Sequence, residues 1–347
     1  MRKEDPAEAG EEALEDKTQV LPLRSKRLER LKKKQEKKHY KSSEPKHLLD
    51  LPEELLLDIL TLLRPSDVFV FSRTSRWMHE FIQHHEPLLA KRIIDFRYAV
   101  LAKCFRLPKL LKDIDPSMHA ALQSPERQEI LTIHKKPYQH IQAPDSSLIC
   151  TCITCLLRWN ALNLCIDFAH WQDNLDSGSP IPMIARGTQP AWNQALTADN
   201  AQLVTAALAS SPLLHARILQ AHLDSTVRAI ARHAANKGNR RRRFRMSAAE
   251  VAAGVDAFLE RCGPPSIDFP FHRDNYYMLE AFLPNRGWNG DEGRWMYVPE
   301  SQHDTDVMFV VRWMARSREA ARVGVEDVTK ASSQAKTEPK RDLALKA

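Results

Sequence analysis

The chain has 347 residues, a formal net charge of +7, 43% hydrophobic residues and six cysteines. That is long enough for about two domains plus tails and apolar enough to fill their cores. The longest apolar stretch, 148–171, is interrupted by Arg158, Asn160, Asn163 and Asp167, which argues against a membrane span.

The first twenty residues are acidic and carry no apolar core of a secretory signal. Cysteines without such a signal point to a reducing compartment, nucleus and/or cytoplasm, and to thiols or metal ligands rather than disulfides. Residues 24–46 hold eleven Lys or Arg against three Glu, a net +8, which leaves the rest of the chain at −1. The basic balance therefore belongs to one arm, and nucleic acid is not the expected partner of the folded body. Residues 1–47 are too poor in apolar side chains to fold alone and are expected to be a disordered charged arm, helical in part around Leu28 and Leu31. Its basic run, Lys26 to Lys38, also has the composition of a nuclear-localisation or polyanion-binding patch.

Residues 48–82 are the most informative segment. Pro52 sits where a helix can start without losing a hydrogen bond, Glu53 and Glu54 follow where the helix dipole favours acid, and Pro65 ends the helix. Seven of the nine residues 55–63 are apolar: Leu55, Leu56, Leu57, Ile59, Leu60, Leu62 and Leu63. At about 100° per residue they cover roughly 220° of the circumference, where an ordinary surface helix shows a stripe of ~100° or somewhat more. Such a helix either lies deep in a core or packs on two things at once.

Leu51-Pro52, Leu55, Ile59-Leu60, Leu63, Asp67-Val68, Ser75 and Trp77 resemble the landmarks of the F-box over about residues 48–95. Phe69-Val70-Phe71 on the second helix is bulkier than that pattern. The resemblance implies a three-helix unit that docks on the Skp adaptor of an SCF-type ubiquitin ligase, and through it on the cullin scaffold. It assigns the contact to Leu51, Pro52, Leu55, Ile59, Leu60, Leu63, Val68 and Trp77.

An amphipathic helix is expected to continue over 86–104, and Ser124-Pro125 has the N-cap and first-turn residues of another. Cys150, Cys152 and Cys155 then place three thiols in six residues, running into Leu156-Leu157-Arg158-Trp159. Zinc takes four such ligands in a tetrahedron. If 155–169 is one helix, Cys155 and Cys165 stand about 15 Å apart along its axis, so Cys165 is core and a fourth ligand must come from His134, His140, His170 or Cys262. The opposing reading is that the cysteines are small buried hydrophobes with no cofactor. A catalytic cysteine has no assignable base, and no protease, deaminase or Ser-centred motif accompanies the cluster.

Residues 167–174 are aromatic and polar, with His170 as a structural histidine, and 177–193 form a loop anchored by Trp192. Helices follow over about 199–209 and from Ser211-Pro212 to near Asn236. The second basic cluster, 237–245, is expected to be an exposed loop, and a capping box at Ser247–Glu250 opens a helix ending at Gly263. Between 266 and 315, β-type runs (276–283, 294–298 and 307–313) separated by Gly and Asn turns predict a small antiparallel sheet. Its tryptophans, Trp288, Trp295 and Trp313, either fill a core or bind a partner. A polar tail, 318–347, is expected to be disordered.

The fold expected is thus mainly α: a three-helix F-box (48–95), an α-rich substrate- or partner-binding body (96–317) and a small sheet within 270–315. No internal repeat is visible. Cys150–Trp159, Asp167–Asp176 and 269–298 make the whole chain similar to a set of uncharacterised fungal F-box proteins. The implied function is that of a non-catalytic adaptor presenting an unidentified protein for ubiquitination. The alternatives are a nuclear nucleic-acid-associated protein using 24–46 and 237–245, and a zinc-dependent protein at Cys150–Cys155.

Overall fold

The spacing that made residues 155–169 and 212–235 read as helices also makes them the centre of the fold. The computed structural model describes residues 26–43, 48–133, 140–185, 187–236, 246–261, 269–278 and 281–335. By its contacts the chain falls into two units, residues 1–56 and 57–347.

The first unit contains α1 (Lys26–Ser43), a 3-10 turn at Leu48–Asp50 and the first turn of α2 (Glu53–Leu62). The arm, expected to be helical in part around Leu28 and Leu31, is helical over α1, and its side chains from Lys26 to Lys37 are exposed.

The second unit continues α2 and adds α3 (Pro65–Ser72), α4 (Arg76–Arg97), α5 (Ala99–Cys104), α6 (Pro116–Leu122) and α7 (Pro125–Ile133). The long α8 (Ile153–His170) and short α9 (Gln172–Ser177) follow, then α10 (Ala191–Ala209), α11 (Pro212–Ala235), α12 (Ala248–Ala253) and α13 (Phe258–Arg261). A two-stranded antiparallel sheet, β1 (Arg286–Asn289) and β2 (Arg294–Tyr297), precedes α14 (Gln302–Ala335).

Helix α11 packs on α8, α10, α3 and α4. Its inner face is Leu213, Ala216, Leu219, Leu223 and Ile230, and Trp159, Leu162 and Phe168 are buried on α8. Buried polar groups lock the register. Glu86 on α4 accepts the amide of Leu213 at 3.1 Å and the hydroxyl of Ser211, so it caps α11. Gln220 on α11 accepts the Ser66 amide and donates to its hydroxyl, both at 2.9 Å. Helices α3 and α4 therefore share a core with the body instead of forming a separate lobe.

Asp167 on α8 holds a second lock. Its carboxylate takes two bonds from Arg273, at 2.8 and 2.9 Å, and one from the Tyr276 hydroxyl at 2.7 Å, all buried. Arg273 also lies against the rings of Trp171 and Trp192. This gives Trp192 its anchoring role, whereas His170 is exposed against the edge of Trp171 and does not meet the carboxylate.

The Ser247 capping box is formed as the sequence predicts. Its helix stops early, at Gly254, where φ is +59°, and an added Cβ would meet the guanidinium of Arg64 at 3.4 Å.

The sheet is smaller than expected. Trp288 pairs with Trp295 and Arg286 with Tyr297, and Arg286 lies 4.0 Å over the Trp295 ring. Residues 273–278 form a 3-10 turn, and 307–313 lie inside α14. The valine-rich run 307–313 has strand composition but helical spacing, with Val307, Val310 and Met314 buried on one face. That same helix carries through most of the segment expected to be a disordered tail, as far as Ala335. The described part of the chain is mainly helical with one small antiparallel sheet near its C-terminal end, and none of its helices is long and apolar enough to cross a membrane.

Candidate functional site

Helix α2 is apolar around most of its surface because it has two apolar rows. Leu56, Leu57 and Leu60 are buried, with Leu60 at 0% exposure. Leu55, Ile59 and Leu62, at i, i+4 and i+7, point outward and are 50%, 37% and 59% exposed. That second row covers nothing among the described residues, yet its spacing is as regular as that of the inner row. The helix is held from its far end by Arg97, which donates to the Leu62 carbonyl and, at 3.3 Å, to those of Ala253 and Gly254. Asp58 is paired with Arg92 of α4 at 3.1 Å.

The predicted contact residues divide accordingly. Pro52, Leu55, Ile59 and Trp77 are exposed and Leu51 and Leu63 half-buried. Leu60 and Val68, both at 0%, are inside. A 220° apolar arc cannot all face one partner, and Leu60 is on the part that faces inward. Leu62, which the sequence pattern left out, is the most exposed of the row. Trp77 stacks on Phe81 with centroids 5.1 Å apart, braced at the start of α4, where Ser75 caps the Met78 amide at 3.1 Å.

The second cluster lies far from these residues in sequence. An antiparallel bridge between Leu110 and Ile149, with the Cys150 amide donating to the Lys109 carbonyl at 3.0 Å, delivers Cys150 to the N-terminus of α8. There Cys152 is the N-cap and accepts the Cys155 amide at 3.4 Å, and Cys155 accepts the Lys109 amide at 3.3 Å. The fourth member is His303, in the first turn of α14. The donor atoms of Cys150, Cys152, Cys155 and His303 all lie within 4.8 Å of one another, and all four residues are buried. This set could coordinate a metal ion.

The histidine is held like a ligand. Its Nδ1 is engaged by the Asp304 carboxylate at 2.9 Å. Its Nε2 is buried and lies among the three cysteine sulfurs. The sulfurs of Cys150, Cys152 and Cys155 crowd the imidazole and raise its pKa far above the ordinary histidine range.

None of the fourth ligands expected from the sequence takes part among the described residues. His134 and Cys262 lie outside them. His140 is buried beside Tyr276, with its pKa pushed down to about 4 by burial, and His170 is exposed. Cys165 is core, as expected, and its thiol pKa is raised well above normal by burial. The signal for His303 was its place at the head of an apolar helical run, Val307, Val310 and Met314, but that run read as a strand.

Of the other expectations, 237–245 lies outside the described residues. Trp288 stays 56% exposed and Trp313 38% exposed, so neither is simply core.

Comparison with protein families matches the F-box-like model over residues 48–94. Searches of the curated proteins and of the solved structures return no match. The helical architecture and that match are consistent with a non-catalytic protein-interaction role. The matched segment begins at the 3-10 turn before α2 and ends within α4, so it encloses α2, its outward row and α3: residues 48–94 of this chain are an F-box-like domain.

Proposed function

We propose that the chain is the substrate-recognition adaptor of an SCF-type ubiquitin ligase. Its F-box-like domain docks on the Skp adaptor, the cullin scaffold is reached through that adaptor, and residues 96–317 hold an unidentified protein for ubiquitination. The observation that carries this reading is the unpartnered row Leu55, Ile59 and Leu62 on a helix inside the matched segment. Leu51, Pro52, Leu63 and Trp77 extend the contact in this proposal, while Leu60 and Val68 act from beneath by fixing the helices that carry it. The packing of α3 and α4 on α11 supports a rigid adaptor, because a substrate held by the body then keeps a fixed distance from the ligase.

Retention of the Skp adaptor by the tagged full chain tests the proposal. Wild type is expected to retain it, and the Leu55→Asp, Leu62→Asp double variant to lose it while remaining folded by circular dichroism. Equal retention by both proteins would overturn the assignment.

A further inference from the structure

The converging cysteines have an ordinary explanation, as small apolar residues in the core they share with Leu111, Ile114, Leu122, Val307, Val310 and Met314. That explanation accounts for the sulfurs but not for the imidazole. A histidine serving only as packing would direct its inner nitrogen to a backbone carbonyl, as His215 does with Phe105 and His222 with Phe282. His303 instead has Nδ1 on a carboxylate and its buried Nε2 among the sulfurs of Cys150, Cys152 and Cys155, with no carbonyl bonded to either ring nitrogen among the described residues. A carboxylate on the outer ring nitrogen is the arrangement that orients a metal-ligating histidine.

The sulfurs are also prepared as ligands. Two of them accept backbone amides, from Lys109 and Cys155, and the group sits at the N-terminus of an 18-residue helix. Both features place positive partial charge against the sulfurs, where a bound cation's ligands carry negative charge. The guanidinium of Arg127 is buried and interacts electrostatically with Cys152 and Cys150. Three thiolates and a neutral imidazole around a divalent ion carry one net negative charge, which Arg127 offsets.

The dimensions agree as well. Tetrahedral zinc with Zn–S bonds of about 2.3 Å puts its sulfurs about 3.8 Å apart, within the 4.8 Å limit that all four donor atoms meet. Three thiolates and one imidazole suit zinc better than calcium or magnesium, which take oxygen ligands.

We propose that Cys150, Cys152, Cys155 and His303 bind one structural zinc ion that fastens the first turn of α14 to the start of α8. With four protein ligands, no position is left for water or substrate, so the site is structural and not catalytic. The ion reinforces the bond that Thr154 of α8 already makes to Asp306 of α14, its amide donating at 3.0 Å. Binding such a site from a chain that lacks it when unfolded adds directly to folding. The C-terminal helix, with its exposed Phe309 and Trp313, is thereby held more firmly when metal is bound.

The test uses the full chain and zinc itself. Elemental analysis of protein purified from zinc-supplemented cells is expected to give about one zinc per chain. Cys155→Ser and His303→Ala are expected to retain less than roughly a tenth of that, and His303→Cys, which restores a fourth soft ligand, to retain most of it. Because a ligand variant can misfold, the wild type is also stripped with a chelator and titrated back with zinc, then with cobalt. Return to about one equivalent, the absorption of tetrahedral cobalt–thiolate coordination, and renewed hydrogen-exchange protection of residues 302–320 support the site. Wild-type protein that holds little zinc and takes up none on titration, or zinc content unchanged in Cys155→Ser and His303→Ala, overturns it.

Discussion

Leu60 and Leu62 are two residues apart on one helix and separate the two jobs of α2. Leu60→Ala removes a side chain at 0% exposure and is expected to cost about 2–5 kcal/mol from lost transfer energy and the cavity left behind. For a unit of this size each kcal/mol lowers Tm by about 2–4 °C. Leu62→Ala removes a side chain already 59% exposed and should stay within about 0.5 kcal/mol of wild type. The order reverses for docking. Covering the exposed fractions of Leu55, Ile59 and Leu62, which are 50%, 37% and 59%, equals about one and a half fully buried side chains, roughly 2–4 kcal/mol. The Leu55→Ala, Ile59→Ala, Leu62→Ala triple variant should therefore bind the Skp adaptor about 30- to 700-fold more weakly with little loss of Tm. Differential scanning calorimetry and a binding titration on the same preparations check both halves. If the triple variant melts as far below wild type as Leu60→Ala does, the outer row is core and the reasoning fails.

Two further predictions concern the interior. Arg273→Met leaves the Asp167 carboxylate buried without its cation and should cost about 3–5 kcal/mol. The Asp167→Leu, Arg273→Met double variant should recover part of that loss in a denaturant cycle, and additive losses would contradict a coupled pair. Acidification should also weaken the fold. Burial pushes His140 and His222 down to about 4, so the folded state binds fewer protons than the unfolded chain between the ordinary histidine pKa and that value, and stability falls as pH drops through this window. Asp256, pushed up to about 6 chiefly by burial, acts in the opposite direction. With His215 also pushed down by burial, the histidines outweigh it between pH 7 and 5. Denaturant midpoints at the two pH values test this, with a smaller drop expected for His222→Gln. Unchanged or higher stability at pH 5 would contradict it.

Local rules reached much of this fold. Pro52, Pro65, Ser124-Pro125 and Ser211-Pro212 mark helix starts or stops within a residue or two because a missing N–H and a capping hydroxyl act on their nearest neighbours. The double apolar character of α2 was visible as an arc too wide for one face. Which leucine faced which way was not, since that depends on packing partners remote in sequence. The Cys150–Cys155 cluster was legible for the same local reason. His303 was not, because nothing near it in sequence says that its helix returns to the start of α8. The run 307–313 misled because valine favours strands through packing, and here the packing was supplied on one side of a helix. The Asp167–Arg273 lock escaped detection for want of any local signal joining the two residues.

The proposed docking by the outer row of α2 is tested most directly by a calorimetric titration of the purified full chain with purified Skp adaptor. Saturable binding at about one adaptor per chain, abolished in the Leu55→Asp, Leu62→Asp variant and unaffected by chelation of zinc, is the predicted result. Absence of binding by the folded wild-type protein, or binding of equal strength by the variant, would contradict it.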